Sequence, residues 1–373
     1  MRSMENYSLR LPAWTIGPEA LRQVPAICGP TGKQAVIIGG QKAMAALADQ
    51  IAAAAAPEIR ILARLWYGGE ASEENIQALS SQEAVQAAEM IFAVGGGKAL
   101  DTCKALGFRM GKPVYAFPTI ASTCAACTAV SILYHPDGSF AAPCFLPGPP
   151  VHTFIDSSVI AQAPPRYLWA GMGDTYAKYF ESTMSSRGED LAWYHAMGVS
   201  VSRSCLDPLL KYGAKAYQDH QRGEVTEELT QVILTIIVTT AVASILLTAD
   251  RIIDYNTGLA HAIFYALTAF PELKIEAEHL HGEVVGFGVL PLLLADGREE
   301  DFRAMYAFNR SVGLPVSVEE IGITSSQMAE VLPAVLKMHD IDHNPYPITL
   351  DLLKEAFRRL QEYHEKEKKE GTR

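Results

Sequence analysis

The sequence has little cysteine, a shortage of positive charge and no hydrophobic leader, and each deficit removes a class of protein. Its six cysteines (Cys28, Cys103, Cys124, Cys127, Cys144 and Cys205) are spread over 373 residues. They form no disulfide framework and read as reduced thiols. Lysine and arginine number 31 against 42 aspartates and glutamates, a net charge of −11. No basic face is therefore expected for nucleic-acid phosphates or an anionic membrane, and a small molecule is the expected partner. The first twenty residues hold no continuous apolar run behind a basic start, so no signal peptide is read and the cytoplasm is the expected compartment. Long apolar runs are also scarce. One, Leu229–Ala249, could span a bilayer by length, but it carries five threonines, Gln231 and Ser244. Without a second span or a positive flank it reads as a buried helix.

What is present is a change of rhythm along the chain. Up to about residue 160, short β-rich runs (QAVIIGG, IRILARLWYGG, EMIFAVGGG, KPVYAFPT and VHTFID) alternate with helical segments such as 41–56 and 72–88. That alternation predicts βαβ units around a parallel sheet. LYHPDGSFAA interrupts it with a turn sequence between two extended runs, a hairpin near the end of the sheet. From about Pro164 onward helix-periodic segments take over, around 166–186, 192–221, 225–250 and 256–268. The expected fold is an α/β, Rossmann-like nucleotide-binding domain over residues 1–163, followed by an all-α domain over 164–373 that binds metal and substrate. The charged tail HEKEKKEGTR reads as a solvated helix end.

Three segments could carry chemistry. VGGGKALD, Val94–Asp101, closes a predicted strand and opens a helix, where backbone amides can surround a pyrophosphate. It is neither GxGxxG nor a Walker A loop, and a turn needing glycine for geometry alone would look the same. PTIASTCAACTAVSILY, Pro118–Tyr134, is a small, hydroxyl-rich stretch beyond another strand end, where open α/β sheets bind ligands. Its Cys124 and Cys127 lack a second pair and read as packed thiols rather than a zinc or redox centre. The third set is dispersed: Asp174 in GMGD, His261 in GLAHAI, and His279 and His281 in HLHGEVVGFG. Aspartate and histidine suit zinc or ferrous iron, and three protein ligands with open positions describe a catalytic metal site. HDIDH, 339–343, is also ligand-like but precedes Asn-Pro-Tyr-Pro and reads as a solvated loop.

Taken in order, GGGKALDTCKA, PTIAST, GMGD, AHAI and HGE resemble the iron-containing alcohol dehydrogenase superfamily, most closely its glycerol dehydrogenase-like branch. The resemblance runs over nearly the whole chain. It implies the dehydroquinate synthase-like fold of that superfamily, with metal and nicotinamide meeting between the two domains, and a homo-oligomer. It also implies that Asp174, His261 and His281 are the metal ligands, with zinc favoured over iron. Gly96, Gly97, Lys98 and Asp101 would line the pyrophosphate, and Thr119, Ser122, Thr128, Val130 and Tyr134 the rest of the dinucleotide. The metal would polarise the substrate oxygen while a hydride passes to or from the nicotinamide.

Three departures bear on specificity. Glycerol dehydrogenases carry aspartate where this chain has Cys124, which weakens a polyol reading. Phe264 stands in HAIFYA where relatives read HAIHNG. QAVIIGG ends in Gly39 and Gly40, where NAD-preferring relatives place an aspartate for the ribose, and its absence removes a repulsion against a 2′-phosphate. NADP(H) is therefore favoured over NAD(H), and Gly40 is assigned to the cofactor site. Lys178 lies one helical turn beyond Asp174, and its ammonium could hold a substrate carboxylate; a surface pair with Glu181 is the alternative. With Cys124 and Lys178 as substrate residues, the expected reaction interconverts a small 2-hydroxy acid and its 2-oxo acid, as in a hydroxycarboxylate dehydrogenase-like offshoot with TCAA and GDTxAK. A glycerol or polyol dehydrogenase is the alternative. A dehydroquinate synthase-like lyase and a non-catalytic dinucleotide-binding protein are further readings.

Overall fold

The computed structural model describes residues 8–371. Six parallel strands form the first half: β1 (Trp14–Ile16), β2 (Gln34–Gly39), β3 (Arg60–Trp66), β4 (Met90–Gly95), β5 (Val114–Pro118) and β8 (His152–Ile155). Their order in the sheet is β1-β8-β5-β4-β2-β3. The short edge strand β1, which pairs with β8 through Trp14 and Thr153, was not anticipated; three residues give too few alternations for a period to show. The predicted hairpin is present as β6 (Val130–Tyr134) and β7 (Phe140–Phe145), a separate two-stranded antiparallel sheet.

The central strands are apolar on both faces, as strands covered by helices on both sides must be. Ile37, Phe92, Val94, Tyr115 and Phe117 enter one core. Val36, Ile38, Ile91, Ala93 and Ala116 enter a larger one that continues into the helical half. Two predicted helices are split. Residues 72–88 form Glu73–Ser80 and Glu83–Ala87, because the Ser80 and Ser81 hydroxyls bond back to Gln77 O and Ala78 O and close the first helix. Residues 192–221 break after Ser202 and restart at Asp207, where Pro208 suits a first turn.

From Arg166 onward the chain is helical. The apolar run forms one helix, Glu227–Leu247, with a π turn over Thr235–Thr239. Among the described residues it is the one helix long and apolar enough to cross a membrane, and 72% of its most apolar window is buried within the fold. Threonine hydroxyls that would be costly in lipid bond to its own backbone here, Thr235 to Gln231 O and Thr240 to Thr235 O.

Candidate active site

Two strand-to-helix turns and the loop that follows β5 meet at the carboxyl edge of the sheet. Register pairs Gly39 with Val94 and Gly95 with Pro118, which sets the ends of QAVIIGG, VGGG and PTIAST side by side. The chain leaves β2 for β3 on one flank and returns to β4 on the other. That reversal is the topological switch point, where α/β sheets accept dinucleotides. Gly95 has φ 148°, a value that favours glycine. The turn there lets the Gly97–Met110 helix begin directly, with Gly96 as its N-cap and its first amides unpaired toward the cleft.

The cleft measures about 1160 Å³, more than a small substrate alone requires. Every residue assigned from the sequence lines it: Gly40, Gly96, Gly97, Lys98, Asp101, Thr119, Ser122, Cys124, Thr128, Val130 and Tyr134 from the first half, and Asp174, Lys178, His261 and His281 from the second. Their states differ. Lys98 is held 2.5 Å from Glu70 and lies over the Tyr134 ring. The Asp101 carboxylate turns toward its own helix and the hairpin, pairing with Lys104 at 2.8 Å and accepting from Ile132 N. Lys104 in turn donates to Thr128 Oγ1 and Val130 O. The pair therefore ties the hydroxyl-rich loop to the helix.

The dispersed triad comes together in space. The ligand atoms of Asp174, His261 and His281 all lie within 4.8 Å of one another, with Asp174 Oδ1 3.6 Å from His261 Nε2 and 3.5 Å from His281 Nε2. Three helices supply them: Arg166–Ser185, Leu259–Thr268 and His281–Ala295. Two glycines explain how the first and third approach so closely. A Cβ on Gly173 would lie 2.1 Å from Gly282 O, and one on Gly282 would lie 2.0 Å from Ala170 O. The glycines of GMGD and HGE are thus the contact that places Asp174 beside His281.

The donor set fits a divalent ion. Glu181, fully buried, accepts from His261 Nδ1 at 2.7 Å and from His261 N at 2.9 Å. A carboxylate on Nδ1 leaves Nε2 free to ligate, the usual support of a metal-binding imidazole. Asp174 also pairs with both imidazoles. Burial alone would lower the His261 pKa, but the Glu181 and Asp174 charges raise it to about 10. Burial would raise that of Asp174, and the two imidazoles instead hold it well below the usual carboxylate range.

Residues 12–148 match the family described as iron-containing alcohol dehydrogenase. Glycerol dehydrogenase of Thermotoga maritima is 34% identical over 76% of this chain and 77% of its own. The chain belongs to the iron-containing alcohol dehydrogenase family. A further relative of this family member is hydroxycarboxylate dehydrogenase A of Escherichia coli, 28% identical over 88% of this chain and 90% of its own. The crystal structure of glycerol dehydrogenase from Schizosaccharomyces pombe superposes with a TM-score of 0.85 at 26% identity, covering 99% of this chain and 93% of that one. As an iron-containing alcohol dehydrogenase, the protein is a dehydrogenase acting on CH–OH groups with a metal and a nicotinamide dinucleotide.

In this alcohol dehydrogenase the surface alternative for Lys178 is revised, while the packed Cys127 and the solvated His339 lie as expected. Lys178 does not pair with Glu181 at the surface. It is buried, bonds to Asn256 O and donates to Asn256 Oδ1 at 2.9 Å. Glu181 sits two turns beyond Asp174 on the same helix face, a spacing that was legible but was not connected to His261. Burial pushes the Cys124 thiol up to about 12, with the Asp174 charge adding to the effect, so it faces the cleft as a neutral group. Cys127 is buried beside Thr153, and all six cysteines are free. His279 bonds to Glu283 and stays outside the triad. In HDIDH, His339 is solvated, whereas Asp340 is half-buried within electrostatic reach of His261 and Glu181. Lys42, Trp66 and Tyr265 also line the cleft, and nothing in the sequence pattern marked them.

Proposed function

We propose that the protein is a metal-dependent, NAD(P)-linked oxidoreductase of small polyols, of glycerol dehydrogenase type, working in the cytoplasm as a homo-oligomer. The observation that carries this is the Asp174–His261–His281 cluster opening into the same cleft as the glycine turns at the switch point. Relatives named glycerol dehydrogenase move the weight from the hydroxy-acid expectation to the polyol. In this reading residues 1–163 hold the dinucleotide and 164–373 the metal and substrate.

Asp174, His261 and His281 would hold the ion, with Glu181 fixing the His261 tautomer. Zinc is the proposed ion and ferrous iron the alternative, since one carboxylate and two imidazoles suit both. The bound ion would supply Lewis acidity to the substrate oxygen, and the nicotinamide would exchange the hydride. The protein's own task is placement. Gly96 and Gly97 admit the pyrophosphate against the helix start, Lys98 exchanges Glu70 for phosphate, and the walls of the cleft exclude water. NADP(H) is favoured, because Gly40 presents no carboxylate to a 2′-phosphate and Lys42 stands two residues on in the cleft.

A 2-hydroxy acid and its 2-oxo acid form the second reading, and Lys178 supports it. A buried ammonium whose recorded partners are both neutral oxygens of Asn256 can still accept an anion. The deciding experiment follows oxidation of NADPH and of NADH with dihydroxyacetone and with short 2-oxo acids, after chelation and after adding back Zn²⁺. Metal-restored turnover of dihydroxyacetone supports the polyol reading. Turnover of 2-oxo acids alone transfers the assignment to the hydroxy acid.

A further inference from the structure

Tyr265 is a cleft-lining donor that neither the proposed cofactor site nor the metal cluster uses. It lies four residues beyond His261 on the Leu259–Thr268 helix, so both side chains project from one face. Its ring is 6.3 Å from the His261 ring and 6.5 Å from that of His281, centroid to centroid. Two aromatic neighbours hold it: Phe140 of the hairpin at 5.8 Å and Phe264 at 5.3 Å. Phe140 belongs to the nucleotide-binding half and Tyr265 to the helical half, so the ring is pinned from both sides of the cleft.

Several neighbouring groups already have partners of their own. Lys178 bonds to Asn256, Glu181 to His261, and the wall beside His281 is the apolar edge of Phe264, 4.5 Å away. The Tyr265 phenol has no hydrogen-bond partner among the described residues. A phenol is protonated at neutral pH and can donate. A preorganised, uncommitted O–H beside the reacting centre contributes directional recognition.

We propose that Tyr265 is a specificity-determining residue that donates a hydrogen bond to a second substrate oxygen, on the carbon next to the one undergoing oxidation. The cleft therefore selects substrates with oxygens on adjacent carbons over monohydric alcohols. This rests on the reading of the cleft as the site of alcohol oxidation.

The test compares wild type with Tyr265→Phe, both zinc-loaded, using glycerol, 1,2-propanediol and 1-propanol. Phenylalanine keeps the packing against Phe140 and Phe264 and removes only the hydroxyl. The wild type should prefer the diols. In the variant, kcat/KM for the diols should fall about tenfold, the scale of one lost hydrogen bond. The loss should lie mainly in KM, with 1-propanol unchanged. A parallel loss for all three alcohols, or an unchanged diol preference, overturns the assignment. A wild type that uses 1-propanol as well as the diols also overturns it and leaves the dehydrogenase reading standing. A wild type that oxidises none of the three overturns both.

Discussion

Replacing Glu181 by glutamine tests whether the triad is a metal site supported from behind. The carboxylate uses both oxygens on one residue, accepting from His261 Nδ1 at 2.7 Å and His261 N at 2.9 Å. A glutamine has one acceptor oxygen and one amide donor. If its oxygen keeps the backbone N–H, its NH₂ meets Nδ1 and favours the tautomer protonated on Nε2, the atom that must ligate. If its oxygen takes Nδ1–H, the amide opposes the buried backbone N–H. Either arrangement weakens the ligand. Loss of such a support lowers metal affinity by about 10- to 100-fold, or about 1.4–2.7 kcal/mol. The assay is a competition titration of zinc between apoprotein and a colorimetric chelator, with circular dichroism and the thermal midpoint recorded to verify folding. A folded Glu181→Gln protein that binds zinc within threefold of wild type would refute the reasoning.

Three other outcomes are expected. At Gly40 a Cβ would meet nothing closer than 3.8 Å, whereas at Gly39 it would lie 2.2 Å from Val94 O; Gly40→Asp should therefore fold and shift the NADH to NADPH ratio of kcat/KM upward by about tenfold or more through charge repulsion, and an unchanged ratio would locate the ribose contacts elsewhere. Lys178→Met should lower kcat/KM for 2-oxo acids at least about tenfold more than for dihydroxyacetone if a carboxylate docks there, and equal losses would assign Lys178 to holding the Asn256 loop. Asp219, buried between Lys215 and Arg222 and accepting from Thr226 Oγ1 at 2.8 Å, has a pKa that burial would raise but these partners lower. Its contribution is present above the unfolded carboxylate pKa and is lost as pH falls through the lower folded value. Asp219→Asn should thus destabilise by about 1–2 kcal/mol at pH 7, discounted for two half-exposed cations. Urea unfolding should find a smaller difference at pH 3, and a constant one would argue against a charge effect.

The parallel strands, the hairpin and the helical second half were legible because each rests on local patterning: apolar runs bounded by glycine and proline, a His-Pro-Asp-Gly turn, and 3.6-residue periodicity. The hydroxyl bonds that end a helix at Ser81 and the restart at Asp207–Pro208 act within a few residues, but they compete with a continuing apolar period and were outweighed by it. The short β1 is an edge strand whose pairing with β8 joins residues far apart in sequence, so three residues alone say nothing of it.

The sequence by itself determined that this is an acidic α/β-then-α protein with glycine turns at strand ends, and its ordered motifs identified the family. Only the tertiary structure decided which polar groups face each other. Asp174, His261 and His281 lie on three helices, and the approach that joins two of them depends on Gly173 and Gly282 lacking side chains. Glu181 belongs to His261 rather than to Lys178, and Asp101 pairs with Lys104. Tyr265 acquires meaning only when Phe140 reaches it across the cleft. The physical reason is common to all of these. Backbone patterning is written in near neighbours along the chain, whereas hydrogen bonds and ion pairs act over a few ångströms in space between residues the fold alone brings together.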